Sequence, residues 1–155
     1  NWYFGSAKRV YADSLLLSRD QPLPADYAAA VIHYESGVIC NMICSWQRFG
    51  RSTERMEIYG DRGALVMDGT GEITYFTPDG ETKRINPEEE LKKRADGAQL
   101  EEVNVGSALL CQLNSITEVL KGRKRPLPTI QDAYDSLKIS FAMIDSTRSG
   151  KAVEL

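Results

Sequence analysis

Arg55-Met56-Glu57-Ile58-Tyr59-Gly60-Asp61-Arg62-Gly63-Ala64-Leu65-Val66-Met67-Asp68 decides the fold. Two alternating apolar runs flank a glycine-bracketed turn, the pattern of a β-hairpin. Upstream, residues 27–34 are strongly apolar and read as a strand, with 38–46 as its partner and Glu35-Ser36-Gly37 as the turn between them. Residues 8–12 form a further short strand, followed by a polar connection, Arg19-Asp20-Gln21-Pro22-Leu23-Pro24. Downstream, residues 72–76 and 81–85 flank a Pro78-Asp79-Gly80 turn. The sum is an antiparallel meander of short strands. Alternation within 38–46 puts Ile39, Asn41, Ile43 and Ser45 on one face and Val38, Cys40, Met42, Cys44 and Trp46 on the other. Both faces are mostly apolar, which predicts an interior strand.

The chain then changes character. Residues 88–99 are charged, contain Gly97 and lack apolar periodicity, so they read as a partly helical, mobile connection. A first helix is predicted over 107–121, with Leu109, Leu113, Ile116 and Leu120 as its apolar stripe and Gly122 as its C-cap. A second begins at an N-cap, Thr129, with Asp132 in a capping-box position, and stops at Gly150; its stripe is Ala133, Leu137, Phe141 and Ile144. Residues 153–155 return as a short edge strand. The fold class is α+β: an open-faced, mainly antiparallel β-sheet with helices packed on one face. If the other face carries Met42, Cys44 and Trp46, it needs a cover from outside the chain, and these three residues become the candidate oligomer interface.

With 155 residues the chain reads as a single domain, able to bury roughly 70% of its unfolded surface. It is 42% hydrophobic and 26% charged with a net charge of −3, which gives no electrostatic case for nucleic acid or for an anionic membrane. No apolar run approaches the ~20 residues of a spanning helix. The start at Asn1, without an initiator Met or a signal-peptide pattern, points to a piece of a longer cytoplasmic protein. Cys40, Cys44 and Cys111 show no metal-ligand spacing. If Cys40 and Cys44 share a strand they stand ~13 Å apart, too far for a disulfide, and they read as buried free thiols.

Few residues carry recognisable chemistry. His33 sits mid-strand with no second histidine and no nucleophilic serine in context, and reads as structural. Gly60-Asp61-Arg62-Gly63 opens no helix, so it is a turn rather than a phosphate loop. Glu88-Glu89-Glu90 beside Lys92-Lys93-Arg94 reads as a solvated turn, and the Lys121, Arg123, Lys124, Arg125 run complements a helix C-terminus. No metal or cofactor site emerges. The best ligand candidate is the loop holding Trp46, Gln47, Arg48, Phe49 and Arg51, where aromatic surfaces meet convergent polar donors, as in many sugar and polyol sites. Two readings stand for it: a substrate-proximal loop, or a core Trp46 with ordinary surface arginines.

Several short motifs occur in an order that resembles one family. They are Ala25-Asp26-Tyr27, Tyr34-Glu35-Ser36-Gly37, Ser45-Trp46, Glu57-Ile58-Tyr59-Gly60-Asp61-Arg62-Gly63, Leu120-Lys121-Gly122-Arg123 with Pro126 and Pro128, Thr129-Ile130-Gln131-Asp132-Ala133, Ser146-Thr147-Arg148-Ser149-Gly150 and Val153-Glu154-Leu155. Together they resemble the C-terminal domain of the glucose–fructose oxidoreductase / inositol dehydrogenase (Gfo/Idh/MocA) oxidoreductases, a dihydrodipicolinate-reductase-like domain. The resemblance implies a parent whose N-terminal Rossmann domain binds NAD or NADP and supplies a catalytic lysine in an E-K-P motif; this chain contains neither. It implies a sugar or polyol substrate, a homo-oligomer formed through the open sheet face, and an isolated domain without activity. His33, on the strand before Gly37, is not the family's catalytic histidine. The alternatives are a stand-alone dimerisation or ligand-binding module of the same descent, and an unrelated α+β scaffold whose exposed sheet binds another polypeptide.

Overall fold

The computed structural model describes residues 1–18, 25–46, 54–69, 71–87, 89 and 107–155, the side chains of 107–111 excepted. The predicted connection over 88–99, Glu89 apart, and the proline-bearing segment 19–24 lie outside the described residues. The chain divides into two compact units, residues 1–49 with 126–155, and residues 50–125.

The first unit is an antiparallel sheet in the order β3-β2-β1-β8. Its strands are β1 (Ala7–Leu15), β2 (Tyr27–Tyr34), β3 (Ile39–Ser45) and β8 (Val153–Glu154). The second unit holds a separate meander, β4-β5-β6-β7, built from Met56–Gly60, Gly63–Met67, Ile73–Phe76 and Thr82–Ile85, together with helix α1 (Ser107–Leu120). The α+β class holds, but the strands form two four-stranded sheets rather than one meander. The stretch between β3 and β4, residues 46–55, is longer than a hairpin loop of two to five residues, and no ladder joins the two strands.

One further helix, α2 (Ile130–Ser149), packs on the first sheet. Val10 and Ala12 of β1, Ala30, Ile32 and Tyr34 of β2, and Ala142 of α2 form the core, flanked by Cys40, Met42, Ile139, Met143 and Val153. This corrects the predicted stripe. Leu137, Phe141 and Ile144 are exposed, Phe141 at 63%, while Ala142 and Ser146 are buried. Periodicity picks out the bulkiest face of the helix, whereas docking uses the face whose small residues permit close approach. It is fixed by a hydrogen bond: the Ala12 N–H donates to Ser146 Oγ (2.9 Å), and that hydroxyl donates to the Lys151 carbonyl (2.7 Å). The α1 stripe is likewise exposed at Leu113, Ile116 and Leu120. A third correction concerns β3, an edge strand and not an interior one.

The opening hairpin is closed by steric fit. Gly63 has φ +124°, and a Cβ there would stand 2.2 Å from the Phe76 carbonyl oxygen and 2.8 Å from the Tyr75 ring. The Tyr75 hydroxyl donates to the Arg62 carbonyl across the turn (2.6 Å). Helix α2 opens with a full capping box, Thr129 N–H donating to Asp132 Oδ2 (2.7 Å) and Asp132 N–H to Thr129 Oγ1 (3.2 Å), and Gly150 terminates it. The Thr129 hydroxyl, and then its amide, hold the Asp132 carboxyl below the usual aspartate range.

Two outcomes are expected. Gly63→Ala should destabilise the chain by about 2–4 kcal/mol in urea unfolding. Gly80→Ala, a positive-φ site with open space around it, should cost only the ~1 kcal/mol of backbone strain. Because the folded Asp132 pKa is lowered, its stabilising contribution is complete above the ordinary aspartate range near pH ~4 and is lost as pH falls through the folded value. Thermal midpoints of wild type and Asp132→Asn should therefore differ at pH 7 and converge on acidification.

Candidate functional site

The predicted ligand loop begins where β3 ends. Trp46 lies just past the last ladder pair, Tyr27 with Ser45, and is 82% exposed. Its amide donates to the Asp26 carbonyl (2.9 Å). Asp26 itself is 2% exposed. One of its carboxylate oxygens accepts the Leu17 N–H (2.6 Å), the other the Ser18 N–H (2.7 Å). Its own N–H donates to the Leu15 carbonyl (3.1 Å). A single buried residue thus ties together the segments leaving β1 and β3. A buried carboxylate demands such donors, and two backbone amides supply charge-assisted bonds. Gln47, Arg48, Phe49 and Arg51 lie outside the described residues.

The first sheet has one face under α2 and one open. Ladder register decides which residues go where, because directly paired residues share a face. Met42 pairs with the buried Ala30 and packs against the core. Cys44, two residues on, shares that side, paired with Ala28, and is an exposed free thiol rather than a buried one; Cys40 is a half-buried free thiol. Alternation extends the same side to Trp46. The strand-face assignment behind the interface residues Met42, Cys44 and Trp46 is therefore inverted: these residues belong to the helix side. The open face carries Arg9, Tyr11 and Asp13 of β1, Val31 and His33 of β2, and Ile39, Asn41 and Ile43 of β3. Ile39 and Ile43 are 60% and 73% exposed. Alternation alone separates the two rows of β3 without saying which one a helix covers. The signal lay in β1, where the apolar Val10 and Ala12 alternate with the charged Arg9 and Asp13, and the ladder register carries that distinction across to β3. Arg9 Nη2 stands 3.5 Å from His33 Nε2 on this face.

Among the described residues, the other groups do not assemble into a reactive centre. A cleft lies between Asn1, Trp2, Gly5 and Ser6 and the first turns of α2, where Asp132, Asp135 and Ser136 line it; the Asp132 carboxylate is already engaged by Thr129. On β4, Glu57 accepts from both Tyr59 and Arg55, which together hold its carboxyl below the usual range. Among the described residues no cluster could hold a metal ion, and no helix is long and apolar enough to cross a membrane. Gly60-Asp61-Arg62-Gly63 is the closed β4–β5 turn with no helix N-terminus behind it, so this turn does not fit the phosphates of a nicotinamide dinucleotide.

No curated protein matches the sequence. Solved structures do match in fold. An oxidoreductase domain protein from Kribbella flavida superposes with a TM-score of 0.80 at 17% identity, over 96% of this chain and 44% of that one. An NAD binding oxidoreductase from Klebsiella pneumoniae gives 0.80 at 17% identity, over 97% and 46%. The WlbA dehydrogenase from Bordetella pertussis, solved in complex with NADH and UDP-GlcNAcA, gives 0.71 at 18% identity, over 99% and 43%. The chain spans less than half the length of each of these structures. The family model for the oxidoreductase family, C-terminal alpha/beta domain, matches residues 1–155. With its α+β architecture and the order of its motifs, the chain belongs to the Gfo/Idh/MocA oxidoreductase family, as the C-terminal domain.

Proposed function

We propose that this chain is the substrate-binding and oligomerisation domain of an NAD(P)-dependent oxidoreductase acting on a sugar or polyol. The nicotinamide and the proton-transferring lysine would belong to a Rossmann domain outside these residues, and the isolated domain would be inactive and cytoplasmic. The observation that carries the oligomerisation half is the open face of the first sheet. It is apolar at Tyr11, Val31, Ile39 and Ile43, and burying one such side chain stabilises association by about 1.5–3 kcal/mol. Its charges suit a second copy. Arg9 and Asp13 bracket Tyr11 on β1, so a twofold axis near Tyr11 sets Arg9 of one copy against Asp13 of the other, an isologous arrangement. Met42 and Cys44, on the helix side, drop out of this interface.

The substrate half rests on Trp46 and on the donors that follow it in sequence, Gln47, Arg48 and Arg51, with Phe49 as a second aromatic surface. An exposed indole beside guanidinium and amide donors suits a polyhydroxylated carbon chain, which offers C–H faces for stacking and hydroxyls for hydrogen bonds. The WlbA neighbour binds a sugar nucleotide, in keeping with that substrate class.

Light scattering during size exclusion should give twice the mass of one chain at neutral pH. Ile43→Glu should reduce it to a single chain without loss of far-UV circular dichroism, whereas Met42→Ala should leave the mass doubled. A monomeric wild type, or a dimer indifferent to Ile43→Glu, would remove the open face from the interface.

A further inference from the structure

Asp26 is a buried carboxylate. Among the described residues it is a common partner of the segments leaving β1 and β3. The carboxylate takes the amides of Leu17 and Ser18, and the backbone carbonyl takes the amide of Trp46. At 2% exposure the side chain is out of reach of a ligand, yet it fixes groups that are exposed: Trp46 at 82%, Leu17 at 54% and Leu16 at 40%. Apolar side chains displayed this openly are expensive to hold still on loops, and loops do not hold them without anchors. Here both loops share the same anchor.

We propose that Asp26 is a positioning residue for the substrate surface, holding the backbone at Trp46 and that of Leu17 and Ser18 in one arrangement, so that the exposed indole is presented from a fixed place. The assignment rests on the substrate reading of Trp46 given above. A carboxylate suits this role better than an amide. It accepts at both oxygens, so it serves two adjacent N–H donors at once. Asparagine, almost identical in shape, turns one of those positions into a donor and leaves a buried N–H facing another. The amides at Leu17 and Ser18 take one carboxylate oxygen each, and asparagine has only one such oxygen. The indole is then presented by a buried anchor, and a ligand that stacks on it meets a surface whose ordering cost is already met in the fold.

The test uses the full chain with Trp2→Phe, so that Trp46 alone emits, and compares it with the same chain carrying Asp26→Asn. Amide hydrogen exchange and Trp46 fluorescence anisotropy are measured well below the melting transition of either chain. Loss of one acceptor should speed exchange at Leu17, Ser18 and Trp46 by ~10-fold or more, and lower the anisotropy of Trp46. Exchange at Val31 and Ile32, in the centre of the sheet, should be unchanged. Uniform acceleration that includes Val31 and Ile32 would reduce Asp26 to a contributor to global stability and overturn the proposal, as would unchanged Trp46 anisotropy. Asp26→Glu, which keeps the charge but extends the chain, should restore part of the protection if the carboxylate is the anchor. A panel of hexoses and inositols added to the wild-type side chain separates the two claims. Trp46 emission that no sugar moves, together with locally lost protection in Asp26→Asn, would overturn the substrate reading and leave the positioning role standing.

Discussion

One serine hydroxyl sets the register between helix and sheet in the first unit. Beyond Val10, β1 has no partner on the β8 side, since β8 pairs only with Arg9 and Val10. The next outward-pointing amide, that of Ala12, would be buried without an acceptor at a cost of about 1–3 kcal/mol. Ser146 Oγ accepts it, Thr147 Oγ1 donates to the Ala12 carbonyl at 3.5 Å, and the Ser146 hydroxyl donates to the Lys151 carbonyl. The helix therefore stands in for the missing length of strand. Its rotation is fixed by that exchange, and from the rotation follow the choice of Ala142 and Ile139 as core and the exposure of Leu137 and Phe141.

The same constraint explains why the two sides of the sheet have such different character. Ala12 and Ala30 lie beneath the helix, and their short side chains let the backbones come close enough for the serine contact. The rest of the covered row is apolar, with Val10, Ile32, Tyr34 and Met42 beside those alanines, whereas the open row mixes Tyr11, Ile39 and Ile43 with Arg9, Asp13 and Asn41. The charged residues of β1, rather than side-chain size, separate uncovered from covered surface here.

The parts of the fold that depend on local chemistry were legible in the sequence. The β2 strand, the capping box at Thr129 and Asp132, the Gly150 stop and the turn between Gly60 and Gly63 all follow from short-range rules, and each stands where those rules put it. What could not be read is which of two apolar faces meets which neighbour. That was the difficulty for α2, where Phe141 outranks Ala142 in hydrophobicity yet is left outside, and for β3, where Met42 and Ile43 differ little as side chains but lie on opposite sides of the sheet. The motif order carried the family although no single motif does so alone. Of the site, Trp46 was evident as an aromatic at a strand end. Asp26 was visible as part of a motif, but its work depends on Leu17 and Ser18, nine and eight residues away in the chain, a closure that no spacing rule anticipates.

The discontinuity of the first unit has a kinetic side. Ala12 and Ser146 are 134 residues apart, so their contact cannot form while the chain between them is still being synthesised. The second unit, by contrast, is one uninterrupted stretch from Gly50 to Arg125, with hairpins between sequential neighbours and therefore short loops to close. On a ribosome the hairpins of the inner unit are free to form first, while β1, β2 and β3 wait as a three-stranded sheet with its helix-binding face bare. That waiting period, during which Val10, Ile32 and Met42 face water or a chaperone, is the stage of this domain's life most open to aggregation. It ends only when residues 126–155 emerge to cover them.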